Sequence, residues 1–419
     1  MKKLNLLLFV FICLPLGAMS HTIETLQQDA LQKDSLQYEI DSIINTQINN
    51  GKIPGAVLQI KQNGKVLYTK AYGYAHLFND QHKRLEQPEI LTRLHQFDIA
   101  SLSKVIGTTT AIMLLADKGL INVDDLVGKY IPAFSIGEKS SITIRQLLSH
   151  TSGIYEWYPM YYKSNHKEAT YQLIASLPLS FKPGTQRKYS DLGFTILGQI
   201  IEIVSKQSLD EFVTKNVFKP IGMSHSCYNP LSTNLHLPIV ATSVGNPYEH
   251  RMVYDTSLGF QFKEINPTAW NGWRKYTLKG EVNDGNAWYA NKGVSGAAGI
   301  FSTIDDLQLL VDMLINEGKI GDKQFISSKT IQSFLTKDKF NNGLGWMMDP
   351  INSFMKDGPE GSFGHTGFTG TSISVVPSKK LSIIILINRQ QMGIINEKEY
   401  YNVNPIRQQI FKAVLNRFW

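Results

Sequence analysis

The chain is poor in cysteine: Cys13 and Cys227 are the only two. It also has no HExxH, so a cysteine-based zinc site and a zincin helix are both excluded. After residue 20 no segment reaches eighteen consecutive apolar residues. The run LSIIILI (381–387) is long enough for a buried strand and too short to span a bilayer. Lys and Arg gather into no long basic run. The formal charge of +7 and pI near 9.0 therefore argue for mild attraction to anionic envelope polymers, not for nucleic-acid binding. No internal repeat is visible.

What is present begins with Lys2 and Lys3, followed by the apolar stretch LNLLLFVFICLPLG and then Ala18 and Ser20. This is the pattern of a secretory signal peptide over residues 1–20. Its removal lowers the charge from +7 to +5 and leaves Cys227 unpaired. Without an intrachain disulfide, an exported chain must rely on its core, which suits one large domain over 21–419. A lipoprotein anchor at Cys13 is disfavoured, because Ile12 stands where a small residue is expected. The expectation is an exported protein, periplasmic or secreted, with no later transmembrane segment. At 42% hydrophobic and 18% charged, the composition is that of a folded domain.

Apolar spacing predicts a helix over 23–50, and PGAVLQIKQ and KVLYTKAYGYA read as strands joined by an Asn63-Gly64 hairpin turn. A polar loop is expected at 76–96, a short helix from Asp124 to near Pro132, and helices at 168–178, 191–205 and 209–217. Residues 224–285 read as loops and short helices. Strands are expected at 343–348, 363–376 and 381–389, and a last helix at 406–418. The fold class is α+β: an antiparallel sheet flanked by helices, with an inserted mainly helical lobe. One lobe would comprise about 21–120 plus 286–419, and the helical lobe about 121–285, with a cleft between them.

Three short motifs could carry chemistry. Ser101 and Lys104, in IASLSK, are three apart at the mouth of an apolar helix, so they share a face. A serine needs a base, and a lysine serves only if burial and nearby cations push its pKa down. Ser164–Lys167 and Ser353–Lys356 have the same spacing but lack the apolar helix. The second motif is Tyr189-Ser190-Asp191, in which Tyr189 and Asp191 would face one side of an extended loop. Asp191 could instead cap the helix starting at Leu192, hold the lysine, or contact substrate. The third is His365-Thr366-Gly367, on a glycine-containing strand that lets another backbone approach closely.

Together, S-x-x-K, Y-x-D and H-T-G resemble the serine β-lactamase and penicillin-binding-protein superfamily. The similarity is to its tyrosine-bearing branch: class C β-lactamases, D-alanyl-D-alanine carboxypeptidases and related esterases. It runs from about residue 40 to 415 through IASLSK, LLSHTSGI, FKPGT, YSDLGF, PIGM, GLGW and HTGFTGT. The segment 280–303 resembles cell-wall-recycling members of that superfamily, with Asn283 and Ala297 where histidines are expected.

The resemblance implies a β-lactamase/transpeptidase-like fold and an acyl-enzyme at Ser101, with Lys104 as base and Tyr189 as proton shuttle. Asp191 and His365 stand where asparagine and lysine are usual. Asp191, His365, Thr366, Gly367 and Phe368 would bind substrate, the backbone N–H groups of Ser101 and Phe368 forming the oxyanion hole. No metal or organic cofactor is implied. The substrate expected is an amide of peptidoglycan peptides, cleaved by a D,D-carboxypeptidase or muropeptide amidase. A carboxylic-ester hydrolase, with residues 155–162 and Trp288 lining an acyl pocket, or a weak β-lactamase is the enzymatic alternative. A non-catalytic sensor of penicillin or wall fragments is the alternative of another class.

Overall fold

The computed structural model describes residues 35–260, 262–395 and 398–417. The signal peptide expected at 1–20, with Cys13, and the first part of the helix expected at 23–50 lie outside these. The rest of that helix is α1, residues 35–49.

Strands β1 (Gly55–Gln62) and β2 (Lys65–Phe78) form the expected hairpin. Asn63 and Gly64 both take positive φ, 48° and 77°, which a tight hairpin turn matching the strand twist requires. A third strand, β3 (Arg84–Ile90), lies where a loop was expected. Its sequence RLEQPEI lacks apolar alternation because it is the solvated edge of the sheet, where Pro88 is tolerated. Strands β4 (Phe363–Thr366), β5 (Ser372–Val376) and β6 (Leu381–Ile387) complete an antiparallel sheet of order β4-β5-β6-β1-β2-β3. Both ends of the chain therefore meet at the β6–β1 pair, with Ala56 opposite Ile387 and Gln62 opposite Leu381.

Every residue of β6 is buried, because successive side chains enter different layers. Ile383, Ile385 and Ile387 pack with Leu36, Ile40 and Ile44 of α1 and with Ile410 and Phe411. Ile384 and Leu386 point the other way, into the larger core with Leu102, Ile106 and Phe194.

The helix after Ser101 is buried on all sides through Leu115, as a helix apolar all round should be. It opens with a wide π-helical turn, Lys104–Thr109, before the regular α2 (Thr110–Asp117). Helix α3 (Asp191–Ser205) crosses beside it, and α4 (Ile304–Ile315) covers β6 and β1. Thr303 caps α4 by accepting the Asp306 N–H at 3.3 Å, one half of a capping box. The Asp306 carboxylate binds Ser226 and the His225 N–H instead of reaching back. The last helix, α5, is Asn404–Leu415.

Two further expectations differ. Residues 124–132 give single 3₁₀ turns, Val127–Lys129 and Pro132–Phe134, with Pro132 opening the second turn. GLGWMM (343–348) forms only isolated bridges at Met347, since Gly343 and Gly345 bend the segment against Phe334 and Thr109. Among the described residues, no helix is long and apolar enough to cross a membrane.

Candidate active site

Ser101 sits where the short strand Phe97–Asp98 turns into the buried helix. The turn is strained: Ala100, a non-glycine residue, holds φ at 45°. The strain persists because Asp98 Oδ1 accepts the Ala100 N–H at 2.8 Å. Lys104, on the first helical turn, donates to Ser101 Oγ at 3.0 Å. Its Nζ also donates to the Ala297 carbonyl at 2.8 Å and pairs with Asp191 Oδ1 at 2.7 Å.

Lys104 is 1% exposed, so each of these partners counts. Burial alone would lower its pKa, but the carboxylate of Asp191 and the phenol of Tyr189 outweigh burial and hold its pKa above the usual lysine value. The expected downward shift through neighbouring cations is thus reversed: the nearest charge is an anion. Lys104 rests as an ammonium.

Asp191 reaches it because the helix cap is elsewhere. Ser190 is the N-cap of α3, accepting the Gly193 N–H at 3.0 Å. That leaves the Asp191 carboxylate free, at a helix N-terminus where negative charge is favoured. Tyr189 presents its hydroxyl to Ser101 and Lys104. Burial raises the pKa of this phenol and Lys104 pulls it back, so Tyr189 rests neutral at physiological pH.

Two neutral histidines back Tyr189. The His150 ring lies 4.5 Å from its ring and the His365 ring 6.1 Å away. His150 accepts the Ser190 N–H at 3.0 Å, which fixes the loop. His365 is 2% exposed and bonds the Thr366 carbonyl through Nδ1 at 2.9 Å. Burial, then Lys104, lowers its pKa to about 3.

The cleft holds about 260 Å³ and exposes Ser101, Tyr189 and Asp191. Its walls are Trp157, Tyr248, Phe260, Phe368 and Tyr400, with Glu249 and Asp284 among the polar residues. Of the strand residues expected to contact substrate, Phe368 lines the cleft. His365 lies behind Tyr189 instead, Thr366 is half-buried, and Gly367 forms the turn. A Cβ at Gly367 would stand 2.4 Å from the Ile99 carbonyl, so only glycine lets this turn close on the Ser101 segment. Among the described residues, the backbone N–H groups of Ser101 and Phe368 take no partner within the chain. Trp288 stacks on Arg274 outside the cleft, and Tyr158 and Tyr161 are core. The other two serine–lysine pairs lead elsewhere: Lys167 binds Glu202 and Lys356 is exposed.

A family model described as Beta-lactamase matches residues 40–403. The chain belongs to the beta-lactamase family. This family is part of the serine β-lactamase and penicillin-binding-protein superfamily of hydrolases. A relative from Salmonella agona (strain SL483), named "Putative D-alanyl-D-alanine carboxypeptidase", is 33% identical over 406 residues, covering 91% of this chain and 89% of that protein. Among solved structures, a family VIII carboxylesterase is similar with a TM-score of 0.66 at 18% identity, covering 91% of this chain and 97% of that one. A class C beta lactamase is similar with a TM-score of 0.63 at 20% identity, covering 92% and 98%. These two likenesses establish the beta-lactamase-family fold.

Several residues in and beneath the cleft were not singled out from the sequence. Asp98 carried a signal, a charged residue inside the apolar FDIAS. Glu249 and Tyr248 carried none, since they lie in the weakly patterned stretch 224–285 and reach the cleft only through tertiary packing.

Proposed function

We propose that this protein is an exported serine hydrolase that forms an acyl-enzyme at Ser101 and cleaves an amide of peptidoglycan peptides, as a D,D-carboxypeptidase or muropeptide amidase. The observation that carries the chemistry is the Lys104 ammonium, 3.0 Å from Ser101 Oγ in an open cleft beside Tyr189. The relative named for D-alanyl-D-alanine carboxypeptidase supports the substrate class.

With Lys104 held protonated, the Tyr189 phenol first releases its proton to bulk water through the open cleft, and the tyrosinate oxygen, facing the Lys104 ammonium, is then the proton acceptor. Ser101 passes its proton to that oxygen as Oγ attacks the carbonyl carbon. Lys104 stabilises the serine and tyrosine oxygens while they carry charge. The N–H groups of Ser101 and Phe368 receive the carbonyl oxygen, a contribution of roughly 3–4 kcal/mol for a well-placed donor. Tyr189 then protonates the departing amine. A water gives its proton to Tyr189 and attacks the ester, and Ser101 recovers its proton from Tyr189.

The aromatic walls of the cleft favour a second substrate class, small carboxylic esters with an apolar acyl group. A panel of muropeptides beside aryl esters separates the two. Release of D-alanine or of a sugar-free peptide supports the amide reading. Turnover of esters with every muropeptide left intact overturns it.

A further inference from the structure

The floor of the cleft is a backbone segment held by three carboxylates, of buried Asp98 and half-buried Glu249 and Asp284. The N–H of Asn283 donates to Asp98 Oδ2 at 2.7 Å, that of Gly285 to Glu249 Oε2 at 2.8 Å, and that of Ala287 to Asp284 Oδ1 at 2.7 Å. Asp98 differs from the other two acids. It is 2% exposed and lies beneath the cleft, whereas Glu249 and Asp284 line it. Its other oxygen takes the Ala100 N–H, the residue held at φ 45° immediately before Ser101.

Asp98 also meets the third piece of the site. Its backbone carbonyl accepts from Thr369 Oγ1 at 2.7 Å, and the next carbonyl, of Ile99, accepts from Thr371 Oγ1 at 3.2 Å. Both threonines belong to the turn that carries Phe368. One residue thus joins the Ser101 turn, the cleft floor and the Phe368 turn. Placement errors of about 1 Å at a reacting atom cost on the order of 100-fold in rate. A carboxylate that accepts two backbone N–H groups has no neutral replacement of equal shape, because an asparagine offers one oxygen and turns an NH₂ toward the other N–H.

We propose that Asp98 is a positioning residue for Ser101: its carboxylate locks the strained Ala100 turn to the Asn283 segment, and the acylation rate depends on that lock. The inference rests on the reading of Ser101 as the nucleophile.

The test compares wild type, Asp98→Asn and Asp98→Glu. The rate of fluorophosphonate labelling is followed by intact mass, the labelled residue by peptide mass spectrometry, and kcat and KM with an aryl ester. Cooperative thermal unfolding shows which variants are folded. Asp98→Asn is expected to label at least tenfold more slowly and to lose kcat by a similar factor, with KM changed less than threefold. Asp98→Glu keeps the charge but displaces the carboxylate, so it is expected to show the same split in milder form and decides the matter should Asp98→Asn not fold. Label on Ser101 at the wild-type rate in a folded variant overturns this inference alone. Label on another residue in the wild type overturns the Ser101 reading and this inference with it.

Discussion

Lys104 Nζ stands 2.7 Å from Asp191 Oδ1, and this contact, with the Tyr189 phenol, keeps the lysine of the candidate site protonated. The ammonium is buried while its partner carboxylate keeps a side-chain exposure of 26%. Asp191 raises the pKa of Lys104 and of Tyr189 alike. Asp191→Asn should therefore move the rising limb of the labelling pH–rate profile to lower pH. Lys104 titrates above its unfolded value, so the stability contributed by its protonation is complete below about pH 10 and is lost as pH rises beyond it. The same variant should lose up to about 3 kcal/mol at neutral pH, the lower end for breaking a buried pair. Chemical denaturation at pH 7 measures this.

Stability should peak slightly below neutral pH. Glu249 is pushed up to about 8, chiefly by burial and then by Asp284. A carboxyl whose folded pKa is raised stabilises fully below its unfolded value and less as pH climbs to 8. Buried His365 works in the opposite sense. With its pKa lowered to about 3, it favours the fold above the ordinary histidine value and ceases to as pH falls below it. Thermal melts should therefore fall off on both sides. Glu249→Gln should flatten the decline between about pH 6.5 and 8, and an unchanged slope would reject the assignment.

Gly296 lets the 295–297 segment press on α3. A Cβ there would meet the Phe194 carbonyl at 2.0 Å. Gly296→Ala should push the Ala297 carbonyl away from Lys104, cost about 1–3 kcal/mol and slow labelling. Denaturant midpoints and labelling rates measured together check both effects.

Trp157 is 6% exposed, forms one wall of the cleft and meets Phe260 edge-on at 5.8 Å. Trp157→Ala should raise KM for bulky aryl esters by roughly tenfold, the equivalent of about 1.4 kcal/mol of lost apolar contact, and leave acetyl esters nearly unaffected. Equal changes for both would show that Trp157 supports the fold only.

How much of this was written in the sequence follows from the range of the interactions. The β1–β2 hairpin was legible because Asn63-Gly64 sets its turn locally. The burial of LSIIILI was legible from composition. Strand β3 was not, because a solvated edge shows no apolar alternation. At the site, the three-residue spacing of Ser101 and Lys104 predicted their contact, since helix geometry alone brings them together. The protonation of Lys104 could not be read there, because Asp191 is 87 positions away by number (191 − 104) and reaches the lysine only after Ser190 has taken the cap. For the same reason His365 was expected to bind substrate, whereas packing buries it with its ring 6.1 Å from that of Tyr189.

The central claim is that Ser101 is the residue that reacts. The direct measurement is to incubate the protein with a fluorescent penicillin or a fluorophosphonate and to locate the label by peptide mass spectrometry, with Ser101→Ala as control. A single adduct on the peptide containing Ser101 is expected, with neither label nor turnover in the variant. Label on any other residue, or a Ser101→Ala protein that still labels and hydrolyses normally, would contradict it.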